Sequence, residues 1–179
     1  PAAWRKILQK RMPLLRRLPT DLQLQLKKHI QVFIAENTFI GCAGLRITEE
    51  MRVVIAAQAC LLLLNRNTGY YPNLRQILVY PGAFLVDRVS IDSAGVQQEQ
   101  RQALAGESWE QGQVILSWQD CLEGAALPDD GRNVVIHEFA HQLDQESGSA
   151  NGAPFFGPGG LSNNRKCWAA VFTQAYAQL

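Results

Sequence analysis

Asn133-Val134-Val135-Ile136-His137-Glu138-Phe139-Ala140-His141-Gln142-Leu143-Asp144 is the stretch on which the reading of this chain turns. It contains H-E-x-x-H, a pattern that chance would supply in about one in four hundred sequences of this length and composition. On a helix, at about 100° per residue, His141 lies about 40° around the axis from His137 and about 6 Å along it, so the two imidazoles can converge on one zinc ion. Ile136, Phe139, Ala140 and Leu143 are expected to form the apolar stripe that anchors this helix in the core while the histidines line a cleft. In a zinc hydrolase the metal acidifies a water and polarises the scissile carbonyl, which makes Glu138 the expected general base. The competing reading is a surface helix on which two histidines share a face by accident. Asp144, seven residues after His137, either orients His141 from behind the metal or is a solvated acid near a helix end.

A catalytic zinc usually has three protein ligands, and the sequence supplies only two cleanly. The extended pattern H-E-x-x-H-x-x-G-x-x-H is excluded, because Asp144 stands at the position of its Gly and Ser147 at that of its third His. After Glu146 there is no further Asp or Glu, and residues 164–179 read as a helix that reaches Leu179. The third ligand is therefore expected beyond residue 179, on a longer polypeptide of which this is the front part; the alternative is an upstream Asp or Glu that folds back to the metal.

Outward from the motif, Pro19-Thr20-Asp21 followed by Leu22, Leu26, Ile30, Phe33 and Ile34 predicts a helix over 21–36, with Thr20 and Gln23 as a capping box. His29 falls on or beside that stripe, where a hydrogen-bonded core histidine is expected. Thr48, followed by Glu49 and Glu50, caps a second predicted helix over 49–65 with an apolar surround. Residues 76–80 and 112–118 read as strands, 67–72 and 148–160 as loops, and 83–106 hold less pattern. Strands are few, short and mixed with helices, so the chain is expected to be a single α+β domain with a small mixed sheet and the histidine helix packed beneath it. Gly112-Gln113-Val114-Ile115-Leu116-Ser117 is the candidate edge strand for pairing with an extended peptide; the alternative is an interior strand with no substrate contact.

The 179 residues are 47% hydrophobic, enough for a sizeable core, and carry a formal net charge of +1, so no global field recruits nucleic acid or an anionic membrane. Residues 1–28 carry eight bases against Asp21 alone. Such a segment is read as a solvated helical face or arm within a basic amino-terminal region of about 1–36, with an acidic partner as the alternative. Cys42, Cys60, Cys121 and Cys167 are far apart and form no C-x-x-C, which points to reduced thiols. The longest apolar stretch, 53–64, is interrupted by Gln58 and falls short of the ~20 residues a spanning helix needs. With no signal-like amino terminus and no N-x-[ST] acceptor, a cytoplasmic location without membrane attachment is expected.

The 137–144 block, the preceding Asp130-Gly131-Arg132-Asn133-Val134-Val135 and the upstream Val114-Ile115-Leu116-Ser117-Trp118 resemble the Mlc titration factor A family. The resemblance implies a cytoplasmic zinc peptidase with aminopeptidase activity and a zincin-like catalytic domain similar to that of anthrax lethal factor. It implies a gluzincin-like site with His137 and His141 as ligands and Glu138 as base. The family's third ligand, a Glu on a later helix, and its downstream catalytic Tyr have no counterpart in this chain. The resemblance also implies a protein partner, the glucose repressor Mlc. The expectation is thus a Zn²⁺-dependent peptidase of short peptides; the alternative is a non-catalytic module that sequesters a transcriptional repressor. Direct nucleic-acid binding is disfavoured, since the basic cluster has only Trp4 as an aromatic neighbour.

Overall fold

A computed structural model describes residues 2–66, 70–91, 97–104, 106–109, 112–128, 130–147, 152 and 161–178. The amino-terminal third is helical: α1 (Ala2–Arg11), a 3-10 turn (Pro13–Arg17) and α2 (Thr20–Glu36) precede β1 (Thr38–Gly41) and α3 (Glu49–Leu61). Then come β2 (Gln76–Tyr80), β3 (Phe84–Ile91), β4 (Gln97–Leu104), β5 (Gly106–Trp109), β6 (Gln113–Ser117), α4 (Trp118–Ala126), α5 (Val134–Asp144), a 3-10 turn (Gln145–Ser147) and α6 (Leu161–Tyr176).

The main sheet has the order β1-β2-β6-β5. β1, β2 and β6 run parallel, with Thr38 opposite Gln76 and Gln76 opposite Gln113, and β5 closes the sheet antiparallel to β6. β3 and β4 form a separate antiparallel hairpin. The α+β expectation and the small mixed sheet hold, and residues 83–106, which show little sequence pattern, contain this hairpin.

One core joins α2, α3, the sheet and α5. Ile30 and Phe33, the apolar run 53–57 of α3, Ile77 and Val79 of β2, Val114 and Leu116 of β6, and Val135 and Phe139 of α5 are buried. Residues 114–117 are buried without alternation, as a strand covered on both faces must be. Phe139 packs against Tyr71 at a ring distance of 4.9 Å and against Phe33 at 5.6 Å, which fixes α5 to the α2 side of the core.

Thr48 caps α3 through its side chain, which accepts from Met51 N at 3.2 Å. The helix ends at Leu61 rather than near Asn65, because i→i+3 bonds tighten the next residues and Asn65 adopts φ 58°. Thr20 is not a cap. It is the first helical residue, Pro19 holds the cap position without a side-chain bond, and the Gln23 side chain donates to Leu18 O at 2.9 Å.

His29 is half-buried and hydrogen-bonds Tyr70 OH through Nδ1 at 2.7 Å, and burial lowers its pKa. Cys60 and Cys121 are buried, Cys42 is half-buried and Cys167 is exposed, all as free thiols; burial pushes the first two up. The basic α1 buries no residue, and it is clasped to the start of α3 by Trp4 Nε1 on Glu49 (2.7 Å) and Arg11 on Glu50 (2.6 Å). The last helix begins at Leu161 rather than at residue 164. The predicted loop 148–160 lies outside the described residues except for Gly152, as do residues 67–69 of the earlier loop. No helix among the described residues is long and apolar enough to cross a membrane.

Candidate metal centre

The histidine helix starts from a fixed point. Asp130 Oδ1 accepts from Arg132 N at 2.8 Å across a turn in which Gly131 takes φ 71°. Asn133 then caps α5: its Oδ1 accepts from Ile136 N at 2.9 Å, while its Nδ2 donates to Gln58 Oε1 at 2.8 Å and to Gly124 O at 3.0 Å. Gln58, fully buried on α3, donates in turn to Cys121 O at 3.1 Å and to Val54 O at 3.3 Å. Every polar atom of both side chains has a partner, which is the condition for a buried amide pair to hold rather than weaken a core. At the other end, Arg66 and Glu146 pair at 3.0 Å and tie the turn after α5 to the segment after α3.

The stripe α5 buries is Val135, Phe139 and Leu143, joined by Glu138 and Gln142. The expected stripe is corrected by one position, since Ala140 is exposed and Ile136 only half-buried. This rotation turns Glu138 inward and leaves His137 and His141 exposed.

The two histidines converge. His137 Nε2 and His141 Nε2 lie 3.2 Å apart, with ring planes at 87°. Two nitrogens each about 2.05 Å from a tetrahedral zinc are about 3.3 Å apart, so this pair fits the ion as it stands. Among the described residues no group of three or more His, Cys, Asp or Glu comes together.

Glu138 is only 6% exposed and lies against β5. A Cβ at Gly106 would stand 2.8 Å from Glu138 Oε1 and 2.5 Å from Val134 Cγ2, so only glycine lets the strand approach the helix this closely. Burial, and after it the negative charge of Glu107, push the Glu138 carboxyl up to about 7; a bound divalent cation opposes that shift. Glu138, His137, Gly106, Val134 and Arg132 share an open cleft of about 590 Å³. Asp144, half-buried at the end of α5, accepts from Gly152 N at 2.8 Å.

Residues 112–117 do not form an edge. β6 pairs with β2 on one side and β5 on the other, so its backbone groups are taken up within the sheet. The end strand on this side is β5, in a segment whose sequence lacks an alternating pattern. Gly106, Glu107 and Gln58 were not legible as site residues. Asn133 had one usable signal, its place as a cap residue directly before the periodic run.

Residues 1–179 match the family described as glucose-regulated metallo-peptidase M90. An uncharacterized protein of Synechocystis sp. is 41% identical over 180 residues, covering 100% of this chain and 64% of the relative. Mlc titration factor A proteins of Enterobacter sp. and Salmonella agona are each 32% identical over 145 residues, covering 80% of this chain and 54% of the relative. The chain therefore spans between half and two thirds of the length of these relatives. By a match that runs its full length, the chain belongs to the glucose-regulated metallopeptidase M90 family.

Proposed function

We propose that this chain carries the metal-binding core of a zinc-dependent peptidase with a zincin-like catalytic domain, acting in the cytoplasm on short peptides, as an aminopeptidase. The observation that carries this reading is the Nε2 to Nε2 approach of 3.2 Å beside a buried Glu138. His137 and His141 hold the ion. Zinc at such a pair supplies Lewis acidity toward a scissile carbonyl and toward water. Glu138 accepts the proton that water gives up and passes it to the leaving amine, a task that suits a buried carboxyl beside the cleft. Asp144 steadies the carboxy-terminal turn of α5 and, with it, His141. Extended substrate pairs with the outer edge of β5, which adjoins the Glu138 side of the cleft, and recognition through main-chain bonds makes side-chain preference broad.

Glu138→Gln should abolish peptide hydrolysis and leave zinc bound. Activity surviving that change would rule out Glu138 as the base.

A second reading is favoured by the relatives' name, Mlc titration factor A. It is a module that sequesters a transcriptional repressor through a surface other than the metal cleft. Repressor binding unchanged in a His137→Ala, His141→Ala protein would support it, and loss of binding in a folded double variant would oppose it.

A further inference from the structure

Two cavities meet at Arg132. One is the cleft that holds His137 and Glu138. The other, about 240 Å³, is walled by Leu14, Leu61, Leu127, Pro128 and Ile136. Residues 131–133 and Ile136 line both, so the cleft adjoins an apolar pocket across this short segment.

The Arg132 side chain is exposed, and its guanidinium makes no ion pair or hydrogen bond among the described residues. Its backbone is nonetheless fixed, by Asp130 on one side and by the Asn133 cap on the other. The Asn133 amide is fully engaged with Gln58, Gly124 and the helix end, whereas the guanidinium between cleft and pocket is not engaged among the described residues. A guanidinium beside an apolar pocket matches a carboxylate attached to an apolar residue.

Arg132 precedes His137 by two extended steps and three helical ones, because α5 begins at Val134 and Asn133 is extended, so the two lie at most about 12 Å apart along the chain. An extended peptide advances about 3.3–3.6 Å per residue. We infer that Arg132 receives a peptide carboxylate two or three residues from the scissile bond, with the adjacent apolar side chain in the 240 Å³ pocket. The carboxylate comes from either a free C-terminus or an Asp or Glu side chain. This inference rests on the peptidase reading and names the substrate class of that site.

The test is calorimetric binding to the zinc-supplied full chain carrying Glu138→Gln, so that no probe is consumed. The probes are Ala-Ala-Leu, its C-terminal amide, and the amide of Ala-Glu-Leu. Ala-Ala-Leu should bind about 10- to 100-fold more tightly than its amide. The difference should vanish on adding Arg132→Gln and persist in part with Arg132→Lys. Affinity regained by the Ala-Glu-Leu amide assigns the carboxylate to a side chain; affinity not regained assigns it to the C-terminus. Equal binding of peptide and amide, a difference that survives Arg132→Gln, or no binding of any probe overturns the inference. A wild-type protein that hydrolyses peptides without this preference defeats the inference alone. Discrimination by the Glu138→Gln protein together with a wild type that hydrolyses nothing defeats the peptidase reading instead.

Discussion

Replacing Asn133 separates two roles that its position combines. As a cap, it satisfies Ile136 N, which is worth about 1 kcal/mol. As a donor, it satisfies the buried Gln58 Oε1, and leaving such an acceptor bare costs about 1–3 kcal/mol. Asn133→Ala removes both and should cost about 2–4 kcal/mol, lowering Tm by roughly 5–15 °C at the 2–4 °C per kcal/mol of a domain this size. Asn133→Asp is the informative variant. Asp is as good a cap as Asn, but it points a carboxylate oxygen at Gln58 Oε1. A flipped Gln58 amide could answer it only by giving up its bonds to Cys121 O and Val54 O. Asn133→Asp should therefore be destabilised by at least about 1 kcal/mol. Urea and thermal unfolding in chelator would read this without metal linkage. Stability of Asn133→Asp within about 0.5 kcal/mol of wild type would refute the network and leave only the cap.

Gly106→Ala should shift Glu138, because its Cβ overlaps Val134 and Glu138. The expected result is a folded protein, about 1–3 kcal/mol less stable, with hydrolysis impaired and zinc content unchanged; full activity would argue against close β5 packing. Burial lowers the pKa of His29 in the folded state, so below the unfolded value of 6.5 the unfolded chain binds more protons and stability falls as pH falls. Across pH 7.5 to 5.5, Tm should drop less in His29→Phe than in wild type, and parallel curves would contradict this.

The histidine helix was legible because its signals are local: a cap residue, a 3.6-residue period and ligands at i and i+4. Its rotation was not. Whether Ala140 or Val135 faces inward depends on where Phe33 and Tyr71 sit, and both are far away in sequence. The assignment of residues 112–117 to a sheet edge failed for a similar reason. Their composition marks a strand, whereas edge or interior is decided by β5, a four-residue segment with no alternating pattern. The hairpin strand β4 reads QQEQRQAL, too polar to announce a strand. Gln58 looked like an interruption in an apolar run, and its purpose is a partner 75 residues later in the chain.

The central claim is that His137 and His141 hold a catalytic zinc, and metal analysis tests it most directly. Wild type and His137→Ala, both purified without chelator and shown to be folded, would be assayed for zinc. The account predicts one zinc per chain in the zinc-supplied wild type and its loss in the variant. A folded wild type that takes up no zinc, even when zinc is supplied, or a His137→Ala protein that keeps it, would contradict the account.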